Sequence, residues 1–449
     1  MADALAMVLI ISVPFAVVAF VAMWLAPRHR RSAVAVVGWF AILFVSAGMI
    51  RPYVYRIIGT EPWQWWLVVL AMAGLAFWLG TRLDQSGRFL VTFVPVLVVA
   101  LSIPLATSVG RIENPPPAMA ATDRVDVGAP PGIWVVVLDA HEAPNELRDL
   151  KDVDLAVQVE HLEDAGFRVW DDSRSNYNRT LVSVSSMLSG EAWGAAVVEQ
   201  SLPAMLAGVR GDTNVVAGLK ETGQTVRMIP ANWSLSECGD LVDTCIGATW
   251  YDERWYYLLA TTPLVDLLPT VFPHVWPTGG LRALEAMSSL PDGGSHFTLV
   301  HSLAAHPPAV FDAECKAGSP NGGNLESQLS CVHHALLASV NEIDLDTDIV
   351  IVVADHGYRK GAGSLSPASW PDAAVRSHFS AFTAISTPGN CEAEFPDRLS
   401  AAQILPLTLN CYGAEMPIPE STFFAVDQLP YGGLAVTQLE WDGWTSYSP

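Results

Sequence analysis

Four short stretches place residues that could do acid–base, nucleophilic or metal chemistry. Val136-Val137-Leu138-Asp139-Ala140-His141 and Ile351-Val352-Val353-Ala354-Asp355-His356-Gly357 each run an apolar strand pattern into a carboxylate. A β-branched run needs no acid or imidazole at its end. The pattern therefore delivers Asp139, Asp355 and His356 to the carboxyl edge of a sheet, where open α/β folds bind ligands. Asn176-Tyr177-Asn178-Arg179-Thr180 leads into a run of small and apolar residues, Leu181 to Ser189, with helical character. At the start of that helix the Thr180 hydroxyl would feel the positive end of the dipole, and free backbone N–H groups could hold an anion. His301-Ser302-Leu303-Ala304-Ala305-His306-Pro307-Pro308 puts two imidazoles in a loop after a strand, where they could bind a phosphate-like group or protonate a leaving group.

Each stretch alone has an ordinary explanation. Asp139 could cap a turn or helix, Thr180 could be a simple N-cap, and the histidines could be solvated loop residues. Asn178-Arg179-Thr180 also matches a short glycosylation pattern. Together, Asp139, Asp355, His356 and the Thr180 hydroxyl make a mixed oxygen and nitrogen donor set. It suits one divalent ion, zinc, manganese or magnesium. A cation beside Thr180 would lower the pKa of its hydroxyl and make it a nucleophile. His301 and His378 are candidate further ligands.

The elements that must position these groups alternate. Strands are expected at Ile133–Leu138, Phe167–Trp170, Thr225–Ile229, Phe297–Val300, 348–354 and Phe379–Ile385. Helices are expected at 149–165, 180–189, 212–222 and 325–341. Apolar strands alternating with helices predict an α/β sandwich with a mostly parallel central sheet.

The chain is 449 residues long with a net charge of −22, unevenly spread. Residues 1–106 carry seven Arg and Lys against three acids, a net of +4, which leaves −26 on the remainder. Four apolar runs, about 4–26, 33–50, 64–80 and 89–106, each approach the roughly 20 residues that span a bilayer. Trp24, Trp39, Trp63, Trp65, Trp66 and Trp78 fall largely near run ends, as interfacial anchors do. The expectation is an N-terminal transmembrane α-helical bundle of about four helices. Arg28, Arg30 and Arg31 place the loop between the first two runs in the cytoplasm, so four spans bring the chain out after residue 106. Residues 107–131, with Pro115-Pro116-Pro117 and Pro130-Pro131, read as a tether, and 132–449 as an extracytoplasmic domain.

The six cysteines agree with that orientation. Cys238, Cys245, Cys315, Cys331, Cys391 and Cys411 all lie in the acidic part, as disulfides in an oxidising compartment would. Of about fifteen arrangements that six cysteines allow, pairing of neighbours (238–245, 315–331, 391–411) is favoured. An acidic domain argues against nucleic acid as a partner. An anionic substrate must then be drawn by something local, a metal ion or Arg179, Arg359, Lys360 and Arg376 near the motifs. Residues 249–277, rich in Trp, Tyr, Leu and Pro, read as an insert that caps the site, touches the membrane or packs as core.

In order and spacing, these motifs resemble the alkaline phosphatase superfamily. The likeness is to its membrane-anchored, sulfatase-like branch, which includes lipoteichoic acid synthases and lipid A phosphoethanolamine transferases. The resemblance covers roughly 133–425. It is carried by the strand ending at Asp139, the Asn-Tyr-x-x-Thr and Ser-rich helix at 176–190, the His-x-Pro-like loop at 306–308 and Ala-Asp-His-Gly at 354–357, with Phe379 to Ile385 and Thr387-Pro388-Gly389 following. It implies an alkaline-phosphatase-like fold. It also implies that Asp139, Thr180, Asp355 and His356 ligate metal, that Thr180 takes the phosphoryl group, and that His306 binds the transferred group or assists the leaving group. The chain departs from the branch at Asp139, where Glu is usual. It also departs from true sulfatases, since Ala140 replaces a second acid and no Cys-x-Pro-x-Arg stands near Thr180.

The leading expectation is metal-dependent transfer of a phosphoryl-linked headgroup at the outer face of the cytoplasmic (inner) membrane, with a membrane lipid or an envelope glycan or polymer as substrate. The alternatives are a phosphodiesterase, phosphatase or sulfatase-like hydrolase of the same superfamily, and a non-catalytic envelope scaffold.

Overall fold

The structure is a computed structural model. It describes residues 127–128, 130–200, 202–231, 237–247, 275–290, 294–317, 324–358, 370–428, 434–441 and 444. All of these belong to one of two compact units of the chain. The four apolar runs, most of 107–131, nearly all of 249–277, and Arg359 and Lys360 lie outside the described residues. Among the described residues no helix is long and apolar enough to cross a membrane.

The elements follow in this order. Strand β1 (Gly132–Leu138) leads to helices α1 (Pro144–Lys151) and α2 (Ala156–Asp164), then strands β2 (Arg168–Trp170) and β3 (Ser173–Arg174). Helices α3 (Thr180–Ser189), α4 (Ala195–Gln200), α5 (Leu202–Val209) and α6 (Asn214–Glu221) come next, followed by strands β4 (Thr225–Ile229) and β5 (Thr244–Cys245). Helix α7 (Val275–Glu285), strand β6 (His296–Ser302), helix α8 (Leu325–Val340), strand β7 (Asp348–Val353), helix α9 (Asp372–Phe379) and strand β8 (Thr383–Ser386) follow. The last elements are β9 (Leu399–Ser400), α10 (Ala401–Asn410), β10 (Phe424–Gln428) and β11 (Leu434–Gln438).

Seven strands form one sheet in the order β2-β8-β7-β1-β6-β4-β5. β5, β4, β6, β1 and β7 pair in parallel, and β8 runs antiparallel to both β7 and β2. The apolar β1, β6 and β7 lie side by side at the centre and are buried along their length, as parallel strands covered on both faces must be.

Alternation along these strands sorts their side chains into two layers. Ile133, Val135, Val137, Phe297, Leu299, Ile349, Ile351 and Val353 pack against α3, α5, α6 and α10. Trp134, Val136, Leu138, Val300, Val350 and Val352 pack against α1, α2, α7 and α8. A smaller aromatic core, with Trp370, Phe379, Phe423 and Trp441, joins α9 to the β10–β11 pair.

Several boundaries differ from the sequence expectation. The 149–165 helix is two helices, broken where Asp152 takes a left-handed conformation (φ 56°) and caps α1. The strand expected at 379–385 is the end of α9 followed by a shorter strand, β8. Helices α4, α5, α7 and α10 and the β10–β11 pair were not anticipated. The disulfides are Cys238–Cys245, Cys315–Cys331 and Cys391–Cys411, the neighbour pairing. Near the start of the domain, Val127 is buried in the main core, and Gln224 Nε2 donates to the carbonyls of Pro130 and Pro131.

Candidate active site

The site forms where three central strands end. Val137 pairs with His301 on one side and Val353 on the other. In a parallel sheet, partnered residues face the same way, and so do residues two apart. His301 therefore shares the face of Val137, and Asp139 and Asp355 continue that face past the strand ends. This is the layer that holds α3, whose first residue is Thr180.

The Thr180 hydroxyl lies 3.2 Å from Asp139 Oδ2 and 3.1 Å from His356 Nε2. It does not cap its helix. Arg179 is the N-cap residue, no side chain caps the first turn, and no acid stands in that turn. The positive end of the α3 dipole and its first N–H groups therefore open onto the same place as the hydroxyl. Asp139 is no helix cap either, since α1 begins after Ala143.

Both carboxylates are buried. Asp355 Oδ1 accepts from the backbone N–H of Ala140 (3.1 Å) and of His356 (2.9 Å). The first of these bonds depends on Ala140 taking φ 62°, a left-handed conformation that an alanine adopts at a cost. Asp139 Oδ1 and Asp355 Oδ2 accept no hydrogen bond, although His306 Nε2 stands 3.9 Å from the first and His356 Nε2 3.3 Å from the second. Buried carboxylate oxygens are almost always satisfied, so two orphans facing one cluster are a signature of a missing positive group.

Donor atoms of Asp139, Asp355 and His356 all lie within 4.8 Å of one another. His356 Nδ1 sits 2.8 Å from the Gly357 carbonyl, which fixes the proton there and leaves Nε2 as a lone-pair donor toward the site. These residues fit a divalent cation.

Two more imidazoles complete the cluster. His301 Nε2 is 3.6 Å from Asp139 Oδ2, and His306 Nε2 is 3.9 Å from Asp139 Oδ1. His306 Nδ1 donates to the Pro307 carbonyl at 2.7 Å, so it too turns Nε2 inward. Burial would raise the Asp139 carboxyl, but the imidazoles of His301, His306 and His356 hold it well below the ordinary range. Asp355 goes the other way, pushed up to about 7 by burial and by the negative charge of Asp139.

The residues around Thr180 are held from the far end of the chain. Asn178 Oδ1 accepts from Val426 N (2.7 Å), and Arg179 Nε donates to Val426 O (3.0 Å). Asn176 bridges Ala402 N and Thr422 O, and Tyr177 stacks on Phe424. Asn178 is thus a buried structural amide. Arg376 is also engaged in the protein, pairing with Glu146 at 2.7 Å and Asp149 at 3.3 Å. The His378 ring packs against Trp370 at a 51° tilt, and its backbone carbonyl takes the Gly357 N–H.

Two supporting residues escape a reading of sequence alone. Glu142 Oε1 accepts from Tyr358 N at 3.2 Å and from Ser377 Oγ, with Lys151 Nζ 3.5 Å away, so it ties the turn after β1 to the turn after β7. Burial raises its carboxyl, against the pull of Lys151. Its one signal is an acid three residues after Asp139. Gln328, on α8, holds the loop that carries His306 and gives no signal at all.

No family profile matches the chain, and no curated protein matches it. Among its structural neighbours are phosphoethanolamine transferases and an alkaline phosphatase superfamily protein. The integral membrane lipooligosaccharide phosphoethanolamine transferase A from Neisseria meningitidis is 13% identical with a TM-score of 0.41, over 78% of this chain and 70% of that one. The C-terminal periplasmic domain of EcEptC from Escherichia coli is 12% identical with a TM-score of 0.45, over 70% of this chain and 94% of that one. The alkaline phosphatase superfamily protein, from Vibrio parahaemolyticus, is 15% identical with a TM-score of 0.40, over 70% of this chain and 80% of that one. Similarity at this level leaves the chemistry of this chain to be read from its own residues.

Proposed function

We propose that residues 132–449 form an extracytoplasmic catalytic domain that transfers a phosphoryl-linked headgroup through Thr180. Residues 1–106 would act as membrane helices and 107–131 as the tether. The observation that carries the reading is the Thr180 hydroxyl, which donates to Asp139 and lies 3.1 Å from His356 Nε2, at an uncapped helix start beside two carboxylate oxygens that accept no hydrogen bond.

Asp139, Asp355 and His356, with the Thr180 oxygen, would hold a divalent ion. Bound there, such an ion would favour the ionised Thr180 oxygen and draw in the negative oxygens of a phosphoryl group. The protein's own groups do the rest. Thr180 Oγ1 attacks phosphorus as its proton leaves toward Asp139 Oδ2 and on to water. The bond from phosphorus to the donor's oxygen breaks, and His306 Nε2, in its protonated form, gives that oxygen a proton. The α3 N–H groups face the phosphoryl oxygens. In the second half an acceptor hydroxyl gives its proton back to His306 and attacks the phosphothreonine; the bond from phosphorus to Thr180 Oγ1 breaks, and that oxygen takes a proton back from water. The substrate class follows from the four apolar runs, since a membrane anchor suits a lipid donor or an envelope acceptor.

The test is capture. Protein incubated with phospholipid labelled in its phosphate and headgroup should carry label on Thr180. Thr180→Ala should carry none while retaining its fold by circular dichroism. A wild-type protein with neither divalent ion nor adduct would sink the proposal. Free headgroup released without any acceptor would make the enzyme a hydrolase.

A further inference from the structure

His306 sits on a loop, not on an element. Its ring is fixed locally, because Nδ1 donates to the carbonyl of the very next residue. That bond travels with the loop, so the 3.9 Å approach of Nε2 to Asp139 follows the backbone of residues 303–311. Ala304, Ala305, Val310 and Phe311 pack into the core beside α8, and one side chain of that helix hydrogen-bonds the loop backbone at several points. Gln328, 1% exposed on α8, accepts from Val310 N at 2.8 Å and from Phe311 N at 3.1 Å through Oε1. Its Nε2 donates to Ala304 O at 2.7 Å and reaches His306 O at 3.5 Å. Both ends of the amide are used, all on backbone groups that bracket His306. One turn further along α8, Cys331 is bonded to Cys315, beyond the same loop.

We propose that Gln328 is the positioning residue for His306, setting where Nε2 stands relative to Asp139 and Thr180. This rests on the reading that His306 meets the substrate. Only an amide of this length supplies two accepted and two donated bonds. Glutamate offers no donor and brings a buried charge, and methionine keeps the volume but makes no hydrogen bond.

The test uses the full-length protein in detergent with bis(4-nitrophenyl) phosphate, a chromogenic phosphodiester, for Gln328→Met, His306→Ala and the double variant. Gln328→Met should lower kcat about ten- to a hundredfold, because displacement of a catalytic group by about an ångström costs that much. Bound metal should stay unchanged, and the double variant should be no slower than His306→Ala alone. The ¹⁵N shifts of the His306 ring, which report the Nδ1–H tautomer without turnover, should move in Gln328→Met. Gln328→Asn, which keeps the amide but shortens its reach, should fall between. If Gln328→Met keeps kcat and ring shifts while His306→Ala is slowed, or if the two defects multiply, the proposal is overturned. If His306→Ala is itself as fast as wild type, the reading of His306 fails and takes the proposal with it.

Discussion

Asp139 and Asp355 end two adjacent strands on one face, and the protein holds their carboxyls apart in acidity. Asp139 is kept ionised by three imidazoles, while Asp355 is pushed up to about 7 by burial and by Asp139 itself. An ordinary aspartate ionises near 3.8. The folded protein alone therefore prefers Asp355 protonated, and the stability this gives is present below 3.8 and lost as pH rises toward about 7. A bound divalent ion would remove the conflict, since both carboxylates would then face positive charge. Melting temperature measured with and without chelator from pH 5 to 8 should show a gap that is wide above pH 7 and narrows below it. A gap independent of pH would mean that Asp355 does not hold the ion.

His306 and His356 present Nε2 to the same cluster, yet their roles separate in the proposed chemistry. His306→Ala should keep the bound ion and lose roughly 10²–10⁴-fold in turnover. His356→Ala should weaken metal binding by at least about 100-fold. Metal analysis of both variants, alongside turnover, decides the assignment. Loss of the ion from His306→Ala would make that residue a ligand.

Gly357 is required by its neighbours. A Cβ there would stand 1.9 Å from the Ser377 carbonyl oxygen and 2.9 Å from that of Ser380. Both are backbone atoms of a packed helix end, which cannot swing aside as a side chain does. Gly357→Ala should lose about 2–3 kcal/mol by urea denaturation. Ser377→Ala, which removes only a hydroxyl at Glu142, should cost less.

Ala140 is the opposite case. It is held at φ 62° so that its N–H can reach Asp355 Oδ1. Ala140→Gly should be neutral to about 1 kcal/mol stabilising, with relief of the left-handed strain set against a looser unfolded chain. Ala140→Val should destabilise. Urea midpoints of the two variants give the sign directly.

The candidate site was legible because strands announce their ends. The runs before Asp139 and Asp355 are apolar and β-branched, and a carboxylate at such a boundary stands out. Geometry adds what spacing could not, namely that His301, Asp139 and Asp355 share a face through the pairing of Val137 with both neighbours. Helix α10 was missed because Pro406 lies inside it and reads as a breaker. Yet Ser400 and Gln403 form a capping box that marks its start. Phe379 to Ile385 reads as one strand because its aromatics and β-branched residues favour one, but Phe379 completes α9 and packs against Phe423. Gln328 could not have been found. Its partners are backbone groups of a loop, and backbone groups leave no mark in a sequence.

The bond from Val426 N to Asn178 Oδ1 joins residues 248 positions apart. With Thr422 O and Val426 O it fixes the segment leading into Thr180. A chain growing from its N-terminus has made the threonine and both aspartates long before it makes these anchors. On the proposed reading the nascent protein carries its site residues before the segment that holds Thr180 is anchored, and that anchoring waits for the strand at Phe424–Gln428.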